Sequence, residues 1–204
     1  MKAISFIVVS FFISMSACAQ EQTLISGPIE SGGYGGPAVR FSTIDNHFAV
    51  MVGGYGGWLI NHTFLLGGGG YGLVNSISAP QAATLYYSAG QDFRFNFGYG
   101  GLFLEYIGAP DNLFHFSIST LIGAGGVGYG YWNNYSNSLW GISSPTSAFF
   151  VLEPGAGVEL NITPFFRLNA GGSYRLVRGS DLVGITDSEL SDLSIYLTFK
   201  FGKF

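Results

Sequence analysis

The sequence predicts an all-β fold, an eight-stranded antiparallel up-and-down transmembrane β-barrel, and three observations lead to it. The chain is apolar enough for lipid, yet beyond residue 20 glycines interrupt every apolar run within a few residues. A spanning helix needs roughly 20 consecutive apolar residues, so strands are the remaining way to satisfy every backbone group inside a bilayer. Apolar and polar residues alternate along eight runs separated by turn signals. The connections between those runs alternate between short and long.

Composition supports the first observation. The 204 residues include 32 Gly, 19 Phe and 12 Tyr, with a mean hydropathy of +0.35. Only 8 Lys and Arg and 12 Asp and Glu are available to cover that apolar matter in water. No basic cluster of the kind that binds nucleic acid occurs, so nucleic acid is not an expected partner.

The N-terminus sets the compartment. Lys2 precedes an apolar run from Ala3 to Ile13, followed by small residues up to Ala19, which is the order of a secretory signal peptide over residues 1–19. Ala17 and Ala19 fit cleavage before Gln20, whereas Met15-Ser16-Ala17-Cys18 resembles a lipoprotein signal that would lipidate Cys18. Under ordinary cleavage no cysteine remains, so neither a disulfide nor a thiolate metal site is available. Residues 20–31 are polar and aperiodic and read as a periplasmic linker or barrel plug, or as a disordered terminus. Residues 32–204 form the barrel domain.

The strand runs fall at about 33–44, 47–60, 63–75, 92–107, 113–131, 148–161, 164–177 and 190–203. If the first strand runs outward, the connections on the inner side are Asn61-His62, Gly108 to Asn112 and Ile162-Thr163, all short. Those outside are Asp45-Asn46 and three longer loops at 76–91, 132–147 and 178–189. Six of the seven follow the short-inside, long-outside alternation, which leaves both termini in the periplasm. Three segments repeat one hairpin plan of aromatic-rich strand, glycine cluster, short turn and second strand, so the chain reads as a meander.

A period of two sorts the strands into faces. In the sixth, Phe150, Leu152, Ala156, Val158 and Leu160 oppose Glu153, Glu159 and Asn161. In the seventh, Phe166, Leu168, Ala170, Tyr174 and Leu176 oppose Arg167, Asn169, Ser173 and Arg175. In the last, Leu193, Ile195, Leu197, Phe199 and Phe201 oppose Ser194, Thr198 and Lys200. In the fourth, Phe93, Phe95 and Phe97 oppose Arg94 and Asn96, but Leu102, Leu104 and Tyr106 oppose Glu105. A β-bulge at Gly100-Gly101 would reconcile the two halves. The expected lumen charge network is therefore Arg40, Arg94, Glu105, Glu153, Glu159, Arg167 and Arg175. An eight-stranded interior is just wide enough for its own side chains, so those charges must pair. Trp58, Tyr106, Phe114 and Phe165 near the inner turns, with Tyr86, Tyr87, Tyr131 and Trp132 near the outer loops, suit two aromatic girdles.

Chemistry is sparse. His47, His62 and His115 each fall at a strand end, and no His/Cys/Asp/Glu group has metal-ligand spacing. His115 and Ser117 share a face, an arrangement similar to the His-x-Ser pair of lipid A deacylases. Here the pair follows the inner turn Gly108 to Asn112, and no acidic residue occurs later in that strand. No catalytic residue, cofactor or metal site is expected.

With its hairpin plan, its alternation and the closing IYLTFKFGKF, the chain over residues 33–204 resembles the small outer-membrane β-barrel proteins typified by the barrel of outer membrane protein A. Phe204 is out of phase with Phe199 and Phe201. The resemblance implies a monomeric outer-membrane protein that meets lipid and the barrel assembly machinery, with a structural or surface-interaction role and an extracellular partner at the outer loops. A narrow pore through the Arg/Glu lumen, or a soluble secreted barrel holding an apolar ligand, are the competing readings.

Overall fold

The computed structural model describes residues 29–87, 93–131 and 146–204. The signal peptide expected at 1–19, most of the linker at 20–31, and parts of two long loops lie outside the described residues. Eight strands follow in chain order: β1 (Ser31–Ile44), β2 (His47–Ile60), β3 (Phe64–Leu73), β4 (Phe93–Gly108), β5 (Phe114–Tyr131), β6 (Thr146–Thr163), β7 (Phe166–Arg178) and β8 (Asp192–Lys203). Each pairs antiparallel with the next and β8 pairs with β1, closing the barrel. Among the described strands none is left as a free edge. Each expected run overlies one strand, its ends displaced by at most two residues.

The tight turns have a local cause. Asp45 and Asn46, and again Asn61 and His62, adopt φ between 50° and 59°. Positive φ at both central residues gives the primed turn whose twist matches a hairpin, and Asn and Asp tolerate that region better than most residues. One end of the barrel carries the β2–β3, β4–β5 and β6–β7 turns with the start of β1 and the end of β8. The other carries the β1–β2 turn and the longer connections. Among the described residues two short helices sit in those connections, α1 (Gln81–Tyr87) before β4 and α2 (Asp187–Leu190) before β8.

The outer wall is apolar. Ile195 is 71% exposed, Leu193 67%, Phe114 62% and Phe165 62%, with Phe116, Ile118, Phe150, Val158 and Phe201 around them. The expected faces of β6, β7 and β8 are those observed: Glu153, Glu159, Arg167, Asn169, Ser173, Arg175, Ser194, Thr198 and Lys200 are all buried inside.

β4 departs from expectation. Its register with β3 and β5 is unbroken through Gly100 and Gly101, so there is no bulge there. Phe95 and Phe97 point inward along with Tyr99, Phe103 and Glu105, and Asn96 is exposed outside. Arg94, half-buried, shares the outward face and does not belong to the lumen network. The reason is that the lumen has two halves. Towards the long loops it is filled by apolar side chains, so alternation there does not separate charge from hydrocarbon.

That apolar half is capped by the loops themselves. Ile77 and Ala83 from the β3–β4 connection and Leu182, Ile185 and Leu190 from the β7–β8 connection are buried with Met51, Phe95, Phe97, Tyr129 and Phe149. Phe97 stacks on Phe149 at 5.2 Å and Phe95 meets Tyr129 edge-on at 5.8 Å. Hydrogen bonds hold the caps down. The Tyr129 hydroxyl donates to Val183 O at 2.9 Å, and the Asp45 amide to Glu189 O at 3.0 Å. Asn75 accepts from the Val50 amide at 2.6 Å and donates to Phe48 O at 2.8 Å.

Candidate functional site

The polar half of the lumen, towards the start of β1 and the end of β8, is the one concentration of ionisable side chains inside the wall among the described residues. It consists of two clusters. In the upper one Arg40 of β1 is ion-paired with Glu153 of β6 and donates to Ser173 Oγ at 2.9 Å. Ser173 in turn donates to Glu153 Oε1 at 2.7 Å, and the Tyr99 hydroxyl donates to Glu153 Oε2 at 2.7 Å. The Arg40 guanidinium lies 3.9 Å from the Tyr71 ring centroid, a cation–π contact in a site withdrawn from water.

In the lower cluster Lys200 of β8 bridges two carboxylates, donating to Glu105 Oε1 at 2.8 Å and to Glu159. Tyr34 donates to the other oxygen of Glu105. Glu159 also accepts from Asn169 Nδ2 at 2.9 Å and faces His115 Nε2 at 3.1 Å. Asn169 further donates to Ser117 Oγ at 2.7 Å. Each carboxylate therefore meets several donors, the condition under which charge is tolerated in so narrow an interior. Arg167 stands at the lower rim, 4.0 Å from Glu159 Oε2, with its guanidinium 4.0 Å from the centroid of Phe204.

Arg175 stands apart from both. It is fully buried at the boundary with the apolar half, and among the described residues it has no carboxylate partner. Its donors go to Leu190 O at 2.8 Å, Thr43 O at 3.1 Å and Met51 Sδ at 3.3 Å, with Phe97 below it at 5.0 Å. Its role is to tie α2 and the end of β1 to the wall of β7.

Of the seven residues expected in the network, Arg40, Glu105, Glu153, Glu159 and Arg167 come together, Arg175 faces the lumen away from them, and Arg94 is outside. The expected list lacks Lys200, although its parity on β8 placed it on the inner face. It also lacks the tyrosines, whose hydroxyls could be found only by knowing which rings turn inward. His115 and Ser117 are both internal, but each is committed elsewhere: His115 to Glu159 and Asn112 O, Ser117 to Asn169. Phe204, out of phase with the outer face, packs inward on Tyr34 at 5.0 Å and under Arg167.

No family model and no curated protein matches the chain. Several solved structures do. Neisserial surface protein A is 14% identical over 87% of this chain and 100% of its own, with a TM-score of 0.56. The N-terminal β-barrel domain of Pseudomonas aeruginosa OprF is 13% identical over 85% and 99%, TM-score 0.48. The attachment invasion locus protein Ail of Yersinia pestis is 14% identical over 85% and 97%, TM-score 0.44. At such identity the likeness concerns the fold, and the first of these carries it: the chain has the fold of the small eight-stranded outer-membrane β-barrels.

Proposed function

We propose that this protein is a monomeric, non-enzymatic barrel of the outer membrane, whose wall is structural and whose long-loop end makes its external contacts. Both termini and the short turns then face the periplasm, after export by the segment 1–19 and insertion by the barrel assembly machinery. The observation that carries the reading is the pairing of a lipid-compatible outer wall with a lumen stoppered at its loop end by Ile77, Ala83, Leu182, Ile185 and Leu190. A stoppered cylinder favours display and anchoring over transport. Binding belongs to the loops, which a rigid scaffold positions.

The lumen network serves this function as a strut. Strands on opposite sides of the cylinder, β1 with β6 and β4 with β8, are joined across it by ion pairs that only one register of the closed sheet brings together. Two measurements test the reading. In fractionated cells the protein should partition with outer membranes and change gel mobility on boiling. In planar bilayers it should show no steady conductance. Steady conductance would favour a narrow pore through the charged lumen, and recovery in the soluble fraction would favour a secreted binding barrel.

A further inference from the structure

At the lower mouth of the lumen Arg167, Asn161 and Thr163 line one depression, and each keeps a polar atom withdrawn from solvent without a hydrogen-bond partner among the described residues: Nη1, Oδ1 and Oγ1. The depression holds about 430 Å³, and Asp111, Pro110 and Phe204 contribute to its wall.

The fold builds this site through a local irregularity. β6 pairs regularly with β7 as far as Asn161 opposite Arg167, and then the register slips so that Thr163 faces Phe166. The extra residue is a β-bulge, which re-aims neighbouring side chains at a barrel rim. Asn161 is held in one orientation, because its Nδ2 donates to Pro110 O at 2.9 Å and Asn112 O at 2.8 Å. Both partners are carbonyls, so the amide cannot be turned round, and Oδ1 is left as an acceptor with no donor. Arg167 is only 7% exposed. Its Nη1 is too far from Glu159 for a hydrogen bond, and Glu159 is already engaged by Lys200, His115 and Asn169.

Buried polar groups left unpaired cost free energy that a complementary ligand recovers. We propose that this depression binds a carboxylate with an N–H donor beside it, the chemistry of an α-amino acid or of the last residue of a peptide. Arg167 and the Thr163 hydroxyl donate to the carboxylate, a pairing strengthened by its charge. Asn161 Oδ1 accepts from the neighbouring nitrogen. Asp111, exposed at the rim, adds a negative charge that disfavours a dianion such as phosphate and suits an ammonium group. Pro110 and Phe204 supply apolar surface for a small side chain. The site depends only on the folded mouth, whichever compartment that mouth faces.

The test uses the barrel purified in detergent, its folding confirmed by heat-dependent gel mobility. Alanine, N-acetylalanine and alaninamide are titrated while the Asn161 side-chain amide and the Thr163 backbone amide are followed by NMR. At least one of the two carboxylates should shift these signals saturably, with alaninamide weaker by roughly tenfold or more. Stronger binding by alanine assigns the site to a free amino acid, and stronger binding by N-acetylalanine to a peptide end. Arg167→Gln should remove binding. Should that variant fold poorly, Thr163→Val keeps the shape while losing only the hydroxyl, and should weaken carboxylate binding severalfold in an intact barrel. The proposal is overturned if alaninamide matches alanine, if Thr163→Val binds as the unmodified protein does, or if neither carboxylate binds below roughly 10 mM.

Discussion

Lys200 sits where carboxylates from two other strands meet, and its ammonium is the only basic group within hydrogen-bond distance of both Glu105 and Glu159 among the described residues. Removing one member of a buried ion cluster costs about 3–5 kcal/mol, because the partners keep their charge and lose its compensation. Lys200→Met should accordingly lower the unfolding free energy of the detergent-folded barrel, read from a urea titration, by an amount in that range. The Arg40→Met, Glu153→Gln double variant removes both charges of the upper pair and should lose less than either single change. If the double variant is as damaged as the sum of the two, the pair does not act as a unit. Asp45 gives a pH-dependent case outside the wall. Partial burial, with Glu189 nearby, raises its carboxyl pKa from the ordinary 3.8, and His47 opposes the shift. The folded state then holds the proton more tightly than the unfolded one. Its contribution to stability is present in full below 3.8 and is lost as the pH rises through the raised folded value. Asp45→Asn keeps a residue suited to positive φ and should be slightly more stable than the parent at pH 7. The gap should close below pH 3.8, as thermal midpoints at the two pH values will show.

At the scale of elements, the approach of β4 to β5 decides which glycines are obligatory. Gly101 faces Gly123 across the pair, and a Cβ on Gly101 would lie 2.3 Å from Ile122 O, whereas one on Gly126 of the same pair would meet nothing within 4 Å. Gly101→Ala should therefore reduce the fraction of chain that acquires heat-modifiable gel mobility, and Gly126→Ala should leave it unchanged. Equal behaviour of the two would mean that the interstrand distance is not what keeps Gly101 free of a side chain. The same strands show what a period of two conveys. On β6, β7 and β8 the inner positions carry Glu153, Glu159, Arg167, Arg175 and Lys200, so polarity alone separates inside from outside, and those faces are legible in the sequence. On β4 the inner positions towards the loops carry Phe95 and Phe97, which resemble lipid-facing residues, so polarity there inverts the apparent parity and assigns Arg94 to the lumen. The stopper was illegible for a different reason. Ile77, Leu182 and Ile185 lie in stretches without alternation, and their burial depends on loops folding back over the mouth. Leu190, fully buried in that stopper, gives the measure of its worth: Leu190→Ala should cost about 2–5 kcal/mol in the same urea titration.

For the whole molecule, the question is what solvent the outer wall is built for. In water, a surface on which Phe114, Leu160, Leu168 and Phe199 form one row across β5 to β8, flanked by exposed Phe116, Leu193, Ile195 and Phe201, would far exceed the few hundred Å² of contiguous apolar patch that a soluble monomer tolerates. In a bilayer the same wall is the solvated face, and the polar half of the lumen becomes the interior. A single substitution separates the two cases, because the medium outside Leu197 sets its price. Leu197 stands midway along β8, opposite Val39 on one side and Ala170 on the other, at mid-height of the wall. In lipid, Leu197→Arg should destabilise the folded barrel by about 2–4 kcal/mol, the penalty for a basic residue at the bilayer midplane. On a water-facing surface the same change would fall within about 0.5 kcal/mol of neutral. The measurement is the unfolding free energy in phospholipid vesicles. The control is Leu193→Arg on the same outer face near the loop end of the strand, where the cost of a basic residue in a bilayer falls to about 0–1 kcal/mol. A large penalty at 197 with little at 193 is the depth profile of a membrane wall. A flat profile would mean that acyl chains do not cover this surface, and the cylinder would have to be a soluble one with another partner over its apolar side.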